Sequence, residues 1–319
     1  RIRGVRRALL LFCLALACSG PQRAKPRRGP KLVVMIVIDQ LPSRIFERDK
    51  ALFTGGLARM LRDGGYVPAA ELPYANTYTA PGHAAIGTGA PPSVTGIVGN
   101  NWWRRAEAIE REAEYDTTAP VLSVAASHAG VLSAGDNGSA IALRVDGVAD
   151  VLRRETGGKA KSVAISLKAR GAVFVAGKHP DLAIWYEPEA GGMTTSKAYA
   201  AEPPRWLVEL AATRPASRFY RSNWTAKDPA LLARITKIAD ASPGEGSIGG
   251  LTPQFPHDLA ATEAPTKSIV HTPFADDIVM DAVIGALEEM QLGKDETPDL
   301  LAVSFSAHDF AGHMWGPDS

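Results

Sequence analysis

Cysteine is almost absent from this 319-residue chain: only Cys13 and Cys18 occur, both near the amino terminus. If a leader were removed there, the remaining chain would hold no pair to oxidise. Cysteine usage therefore neither demands nor forbids an oxidising compartment. Long apolar runs are also missing. Apart from the short run at the amino terminus, none reaches the about 18 residues that a spanning helix needs. No internal repeat or low-complexity segment is visible, and 45% hydrophobic with 22% charged residues excludes a disordered, collagen-like or coiled-coil chain. A basic excess is lacking too, although the formal net charge of +1 hides how the charge is distributed. Residues 1–28 carry eight basic side chains and no acidic one. Taking those eight from the chain's 35 basic residues leaves 27 against 34 acidic, so the remainder is at −7. An acidic body argues against general nucleic-acid binding, which needs a basic face to displace counterions.

What is present begins with an export-like leader, residues 1–17. Arg1, Arg3, Arg6 and Arg7 form a basic region, Ala8 to Leu16 an apolar run too short to span a bilayer, and Ala15-Leu16-Ala17 a small-residue cleavage site. Cys18 follows at once and makes a lipid anchor the alternative to a free exported protein, with Ala15 where an acylation site favours Leu or Val. Residues 18–30 read as a tether, which places the protein in the periplasm or on the outer surface.

From Lys31 onward, strand-like and helix-like segments alternate. KLVVMIVI (31–38) suits a strand buried on both faces of a parallel sheet. Residues 55–63 have helical spacing and stop at Gly64-Gly65, and 141–154 also read as a helix. SVAISL (162–167), AVFVA (172–176), 182–186 and 300–305 read as strands. Residues 276–292 carry one apolar stripe, with Asp276 and Asp277 where the helix dipole favours negative charge. This alternation predicts an α/β fold, a doubly wound and mostly parallel sheet with helices on both faces, spanning 31–319. The weakly periodic stretch 187–272 is read as an inserted cap. It is also where contacts to the non-reacting part of a substrate are expected, although Trp185, Tyr186 and Trp206 suit a core better than a pocket.

Five elements could carry chemistry. Asp39 closes the first apolar strand, and Asp309 with His313 follows the last. Ligands gather beyond the carboxyl ends of such strands. A carboxylate and an imidazole four residues apart share a helix face and both bind zinc, although each cluster alone is as consistent with a turn or a cap. Thr79 stands at the amino end of a helix opened by Pro81; the bland reading is a helix cap, the chemical one a nucleophile beside an anion site. Asn100 lies in a Gly/Asn turn backed by two tryptophans and offers an amide to a phosphoryl oxygen. Lys168 and Arg170, in an extended segment, would point the same way and suit a dianion; otherwise they form a solvated strand end.

In this order the motifs MIVIDQ (35–40), TYTAPGHAAIGTG (77–89), GIVGNNWW (96–103), SLKARGA (166–172) and SFSAHDFAGHMWGP (304–317) resemble the alkaline phosphatase superfamily. The resemblance is to its type I phosphodiesterase/nucleotide pyrophosphatase branch and the PafA-type alkaline phosphatases. It implies two zinc ions roughly 4 Å apart. Thr79 would be the nucleophile that becomes a phosphothreonine, Asp39 (with Thr79) a ligand of one zinc, and Asp309 and His313 ligands of the other. Asn100 would contact a phosphoryl oxygen. Lys168 and Arg170 match the pair that monoesterases of the group carry and diesterases lack, so small phosphate monoesters are the expected substrates. His83 and His308 fall in matched motifs without being ligands of the family and are read as supporting residues.

The family supplies further zinc ligands downstream, an Asp-His pair and another His, which this chain does not contain. The expectation is thus of a fragment that binds zinc weakly and turns over poorly. Three rivals stay open. A diesterase would keep the metals and Thr79. A sulfatase is disfavoured because Thr79 cannot form the required aldehyde. A non-catalytic binding module could keep the fold without the chemistry.

Overall fold

Short apolar runs become the strands of a central sheet. In chain order the strands are β1 (Leu32–Ile38), β2 (Asn101–Arg104), β3 (Ile109–Glu112), β4 (Ser162–Ser166), β5 (Leu182–Glu187), β6 (Gly192–Thr194), β7 (Asn223–Trp224), β8 (His257–Asp258) and β9 (Asp299–Phe305). The main sheet runs β1-β9-β4-β5-β6; the first four strands are mutually parallel and β6 is antiparallel to β5. β2 pairs with β3, and β7 with β8, as separate antiparallel ribbons. The computed structural model describes residues 29–125, 138–236 and 240–319, of which Lys31–Ser319 belong to one unit. The leader, most of the tether and Cys18 lie outside the described residues. Among those described, no helix is long and apolar enough to cross a membrane.

The period of two along each strand divides the core between the sheet's two faces. Val163 and Ile165 of β4, Leu182 and Ile184 of β5, and Leu301 and Val303 of β9 point to one face. There they meet Ile278, Val279, Ala282, Val283 and Ala286 of helix Phe274–Glu289, the apolar stripe anticipated for 276–292. Leu207, Leu251, Leu259 and Ile269 join the same cluster, so these parts of 187–272 pack into the main body.

Alanines face the other way: Ala164, Ala183 and Ala302. Small side chains let helices Thr79–Thr88 and Ala169–Val175 come close. A Cβ on Gly87 would stand 2.6 Å from the Phe174 carbonyl oxygen and 2.9 Å from the Val175 Cα.

Three expectations are corrected. β1 is not buried on both faces. Among the described residues it is an edge strand of the sheet, paired with β9 on one side, and Val33, Val34 and Ile36 are between 42% and 49% exposed. Apolar composition reports suitability for burial, not rank within the sheet. Of residues 172–176, 172–175 are helical, within Ala169–Val175, and Ala176 follows as the residue that ends the helix. They are buried on every side, and a short all-apolar run carries no period that separates helix from strand. The helix read at 141–154 spans only Val148–Glu155, because Gly147 opens it: the Asp150 carboxylate accepts the Gly147 N–H at 2.7 Å and closes the first turn. Helix Gly55–Asp63 forms as read and ends at Gly64, but no residue in it is buried.

The Gly87 approach gives a direct test. Gly87→Ala should destabilise the fold by about 1–3 kcal/mol, because backbone rather than a flexible side chain must move. Urea unfolding followed by circular dichroism measures it; a change within about 0.5 kcal/mol would show that the two helices can separate cheaply.

Candidate active site at the carboxyl ends of β1, β9 and β4

Three adjacent parallel strands end at one place. β1 hands over to Asp39, β9 to Ser306 and the helix Ala307–Trp315 that carries Asp309, and β4 to Lys168. The register aligns Ser166 with Ser304 and Ile38 with Phe305, and the Asp39 N–H donates to the Phe305 carbonyl at 2.8 Å. Asp39 and Asp309, the two carboxylates expected after strands, are therefore brought together. The Lys168 ammonium lies between them: Nζ donates to Asp39 Oδ2 at 2.9 Å and to Asp309 Oδ2 in a shorter bond. All three side chains are nearly buried, at 6%, 11% and 7% exposure for Lys168, Asp39 and Asp309. The ammonium also sits 4.7 Å from the Phe310 ring centroid.

Asp39 Oδ2 collects further donors. The Thr79 and Ser306 hydroxyls each approach it at 3.4 Å. Burial alone would raise the Asp39 carboxyl, but the charge and hydrogen bond of Lys168 outweigh it, helped by the field of His83 and by Ser306. The carboxyl is held below its ordinary value.

Thr79 is the first residue of its helix and does not cap it. That task falls to Asn100, whose side-chain oxygen accepts the Ala80 N–H at 2.8 Å. This bond fixes the amide: with Oδ1 engaged, the NH2 of Asn100 remains a donor. Beneath Thr79 lies buried His83, with Nδ1 2.8 Å from the Thr79 carbonyl and Nε2 2.7 Å from the Ser304 hydroxyl. A carbonyl only accepts, so Nδ1 donates, and Nε2 accepts from Ser304 when the ring is neutral. Burial lowers the His83 pKa despite the opposing field of Asp39, which favours that neutral form.

Lys168 and Arg170 do not project together from an extended strand. Lys168 is the extended residue before the helix Ala169–Val175, and Arg170 lies in its first turn. Lys168 goes to the aspartates, while Arg170 Nη1 lies 3.7 Å from Glu114 Oε1.

His313 Nε2 stands 3.5 Å from Asp309 Oδ1, with its side chain 71% exposed. A tetrahedral zinc with bonds of about 2.0–2.1 Å places its donors about 3.3 Å from each other. The pairs Asp39/Thr79 at 3.4 Å and Asp309/His313 at 3.5 Å thus have the spacing of two donors on each of two ions, although the Asp39 oxygen nearest Thr79 is the one Lys168 holds, so an ion there would have to displace the ammonium. Among the described residues, no group of three His, Cys, Asp or Glu gathers around either pair. Trp185 and Tyr186 are buried in β5, as a core reading has it.

A family model described as type I phosphodiesterase/nucleotide pyrophosphatase matches residues 33–319. The chain belongs to this family. Alkaline phosphatase PhoV of Synechococcus elongatus is 30% identical over 327 residues, covering 97% of this chain and 58% of PhoV. Alkaline phosphatase PafA of Elizabethkingia meningoseptica is 30% identical over 305 residues, covering 94% of this chain and 54% of PafA. A crystal structure of wild-type PafA superposes with a TM-score of 0.82 at 30% identity, over 93% of this chain and 56% of that one. The chain spans about half the length of the curated relatives it matches.

Sequence reasoning did not single out Glu114, Ser304 or Ser306. The two serines stand in a matched motif but look like ordinary strand-end residues. Glu114 sits in the charged run Glu110–Asp116, where nothing distinguishes the one buried glutamate from its solvated neighbours.

The Lys168 bridge yields a prediction for the chelator-treated protein. Lys168→Met should cost about 3–5 kcal/mol at pH 7, because two buried carboxylates lose their shared cation. With the folded Asp39 pKa depressed, the stabilisation is complete above the unfolded value near 3.8 and is lost as pH falls through the lower folded value. The wild type should therefore weaken below about pH 4, and the variant should show a shallower acid limb. Urea midpoints measured across pH 2–7 (about five points suffice) test this; identical acid limbs would exclude the coupling.

Proposed function

We propose that this protein is a metal-dependent phosphate monoester hydrolase working through a phosphothreonine on Thr79. The observation that carries the reading is the orientation of Thr79. Its hydroxyl is directed at the Asp39 carboxylate rather than at the helix backbone, beside an Asn100 amide whose NH2 is free to donate. In the attack, Thr79 Oγ1 would bond to phosphorus as the bond from phosphorus to the alcohol oxygen breaks, and the proton given up by Thr79 would end on the departing alcohol. Water then breaks the phosphothreonine, releasing phosphate and restoring the hydroxyl. Asn100 Nδ2 and the Arg170 guanidinium would hold the transferring oxygens. Lys168 donates to Asp39 and Asp309, and the contact to the substrate dianion expected of it remains part of this reading.

Asp39 with Thr79, and Asp309 with His313, would hold the two metals, with zinc favoured by the mixed oxygen and imidazole donors. When bound, zinc supplies positive charge that lowers the pKa of the Thr79 hydroxyl and neutralises the leaving oxygen.

Support for the monoester reading comes from the relatives, PhoV and PafA, both named alkaline phosphatases. A further PafA crystal structure, 28% identical to this chain, is of a variant substituted at one threonine, one asparagine, one lysine and one arginine. Those are the residue types of Thr79, Asn100, Lys168 and Arg170. The leader at 1–17 and Cys18 support export, with the protein free or acyl-anchored.

The test is hydrolysis of p-nitrophenyl phosphate and bis-p-nitrophenyl phosphate by the zinc-loaded protein. The monoester should be preferred by at least about tenfold in kcat/KM, and Thr79→Ala should lose about 100-fold or more. Preference for the diester would assign the protein to the diesterases of its family. Turnover unaffected by Thr79→Ala would remove the phosphothreonine.

A further inference from the structure

We propose that Glu114 is a positioning residue for Arg170. Its buried carboxylate aims the guanidinium, and the β2–β3 hairpin that carries it locks Arg170 to Asn100, so the phosphoryl-holding groups are assembled as one unit. The inference rests on the phosphoryl-transfer reading of the site and deepens it.

The Glu114 side chain is 4% exposed, and its ion pair is with Arg170, Nη1 to Oε1 at 3.7 Å. Glu114 Oε2 and Arg170 Nε are both buried without a hydrogen-bond partner among the described residues. A carboxylate held this way is costly. Burial raises the Glu114 pKa to about 7 although Arg170 opposes the rise. A buried pair of this kind is weak evidence of stabilisation, because desolvation consumes much of the attraction. What it does supply is direction. At 3.7 Å the contact to Oε1 engages Nη1 only, which leaves Nη2 of the guanidinium for an oxygen of a ligand.

The hairpin makes the arrangement rigid. β2 and β3 pair from Asn101 opposite Glu112, and the ladder continues as the Ala113 N–H donates to the Asn100 carbonyl at 2.8 Å. Asn100 and Glu114 thus sit on the two legs of one hairpin end. The Glu114 carbonyl is tied in turn by the Ser139 N–H at 2.9 Å. Asn100 holds the first turn of the Thr79 helix through Ala80. On the other side, Arg170 follows Lys168, whose ammonium is fixed by Asp39 and Asp309. The charges of both Lys168 and Arg170 reach His83, beneath Thr79. Glu114 therefore joins the hairpin that holds Asn100 to the helix that presents Arg170, and both sides border the nucleophile.

The experiment uses Glu114→Gln, which keeps the shape and removes the charge, in wild-type and Arg170→Ala backgrounds. Monoester kcat/KM should fall about tenfold, diester kcat/KM by less than about twofold, and the effect should vanish once Arg170 is Ala. Equal losses on both substrates, or a loss that persists without Arg170, would overturn the proposal and leave Glu114 a structural residue. A second readout does not depend on turnover: the Arg170 Nε–Hε resonance, identified by its loss in Arg170→Lys. Glu114→Gln should shift or broaden it, and inorganic phosphate should shift it in the wild type. If phosphate moves nothing and neither ester is hydrolysed, the phosphatase reading fails, while the response to Glu114→Gln still decides the positioning. An unchanged resonance overturns it.

Discussion

The site depends on one ammonium between two carboxylates. Parallel strands all end on the same side, so β1, β9 and β4 necessarily deliver whatever follows them to one spot. Here they deliver Asp39, Asp309 and Lys168. Two nearly buried anions so close would repel each other and push a proton onto one of them. Lys168 removes that problem and at the same time ties the outer strand β1 to the interior of the sheet. The fold places the groups, and the cation makes their closeness tolerable.

A second constraint operates one layer out. A helix amino terminus needs acceptors for its free N–H groups, and the side chain of the residue just before the helix is the usual supplier. In helix Thr79–Thr88 that residue is Tyr78, which makes no such bond, and the acceptor comes from another segment, Asn100. The bond fixes which end of the Asn100 amide looks outward, while the Thr79 hydroxyl turns to Asp39. His83, held between the Thr79 carbonyl and Ser304, anchors the same turn to β9 from below. Orientation thus comes from hydrogen bonds that run between elements rather than within the helix.

Much of this was legible in the amino-acid order. The runs at 162–167, 182–186 and 300–305 and the stripe at 276–292 betray buried strands and a helix, because burial on a fixed period leaves a direct trace. Asp39 and Asp309 could be picked out because each interrupts an apolar run at its carboxyl end. Other features leave no such trace. The place of β1 at the sheet edge depends on partners rather than on its own residues. The helical state of 172–175 is masked by uniform burial. That a helix starts between Lys168 and Arg170 escaped a local reading of the segment as extended. Glu114 is indistinguishable by type from Glu110 and Glu112; only the tertiary fold buries one and exposes the others.

The outermost position of β1 has a consequence for how these residues behave in solution. A strand that presents free backbone donors and acceptors along one side, with valine and isoleucine side chains open to water, is a template for another strand. Residues 31–319 on their own should therefore be adhesive at high concentration, recruiting extended segments from neighbouring molecules along that edge. Low protein concentration and charged substitutions at Val34 or Ile36 would be the natural means of keeping them apart.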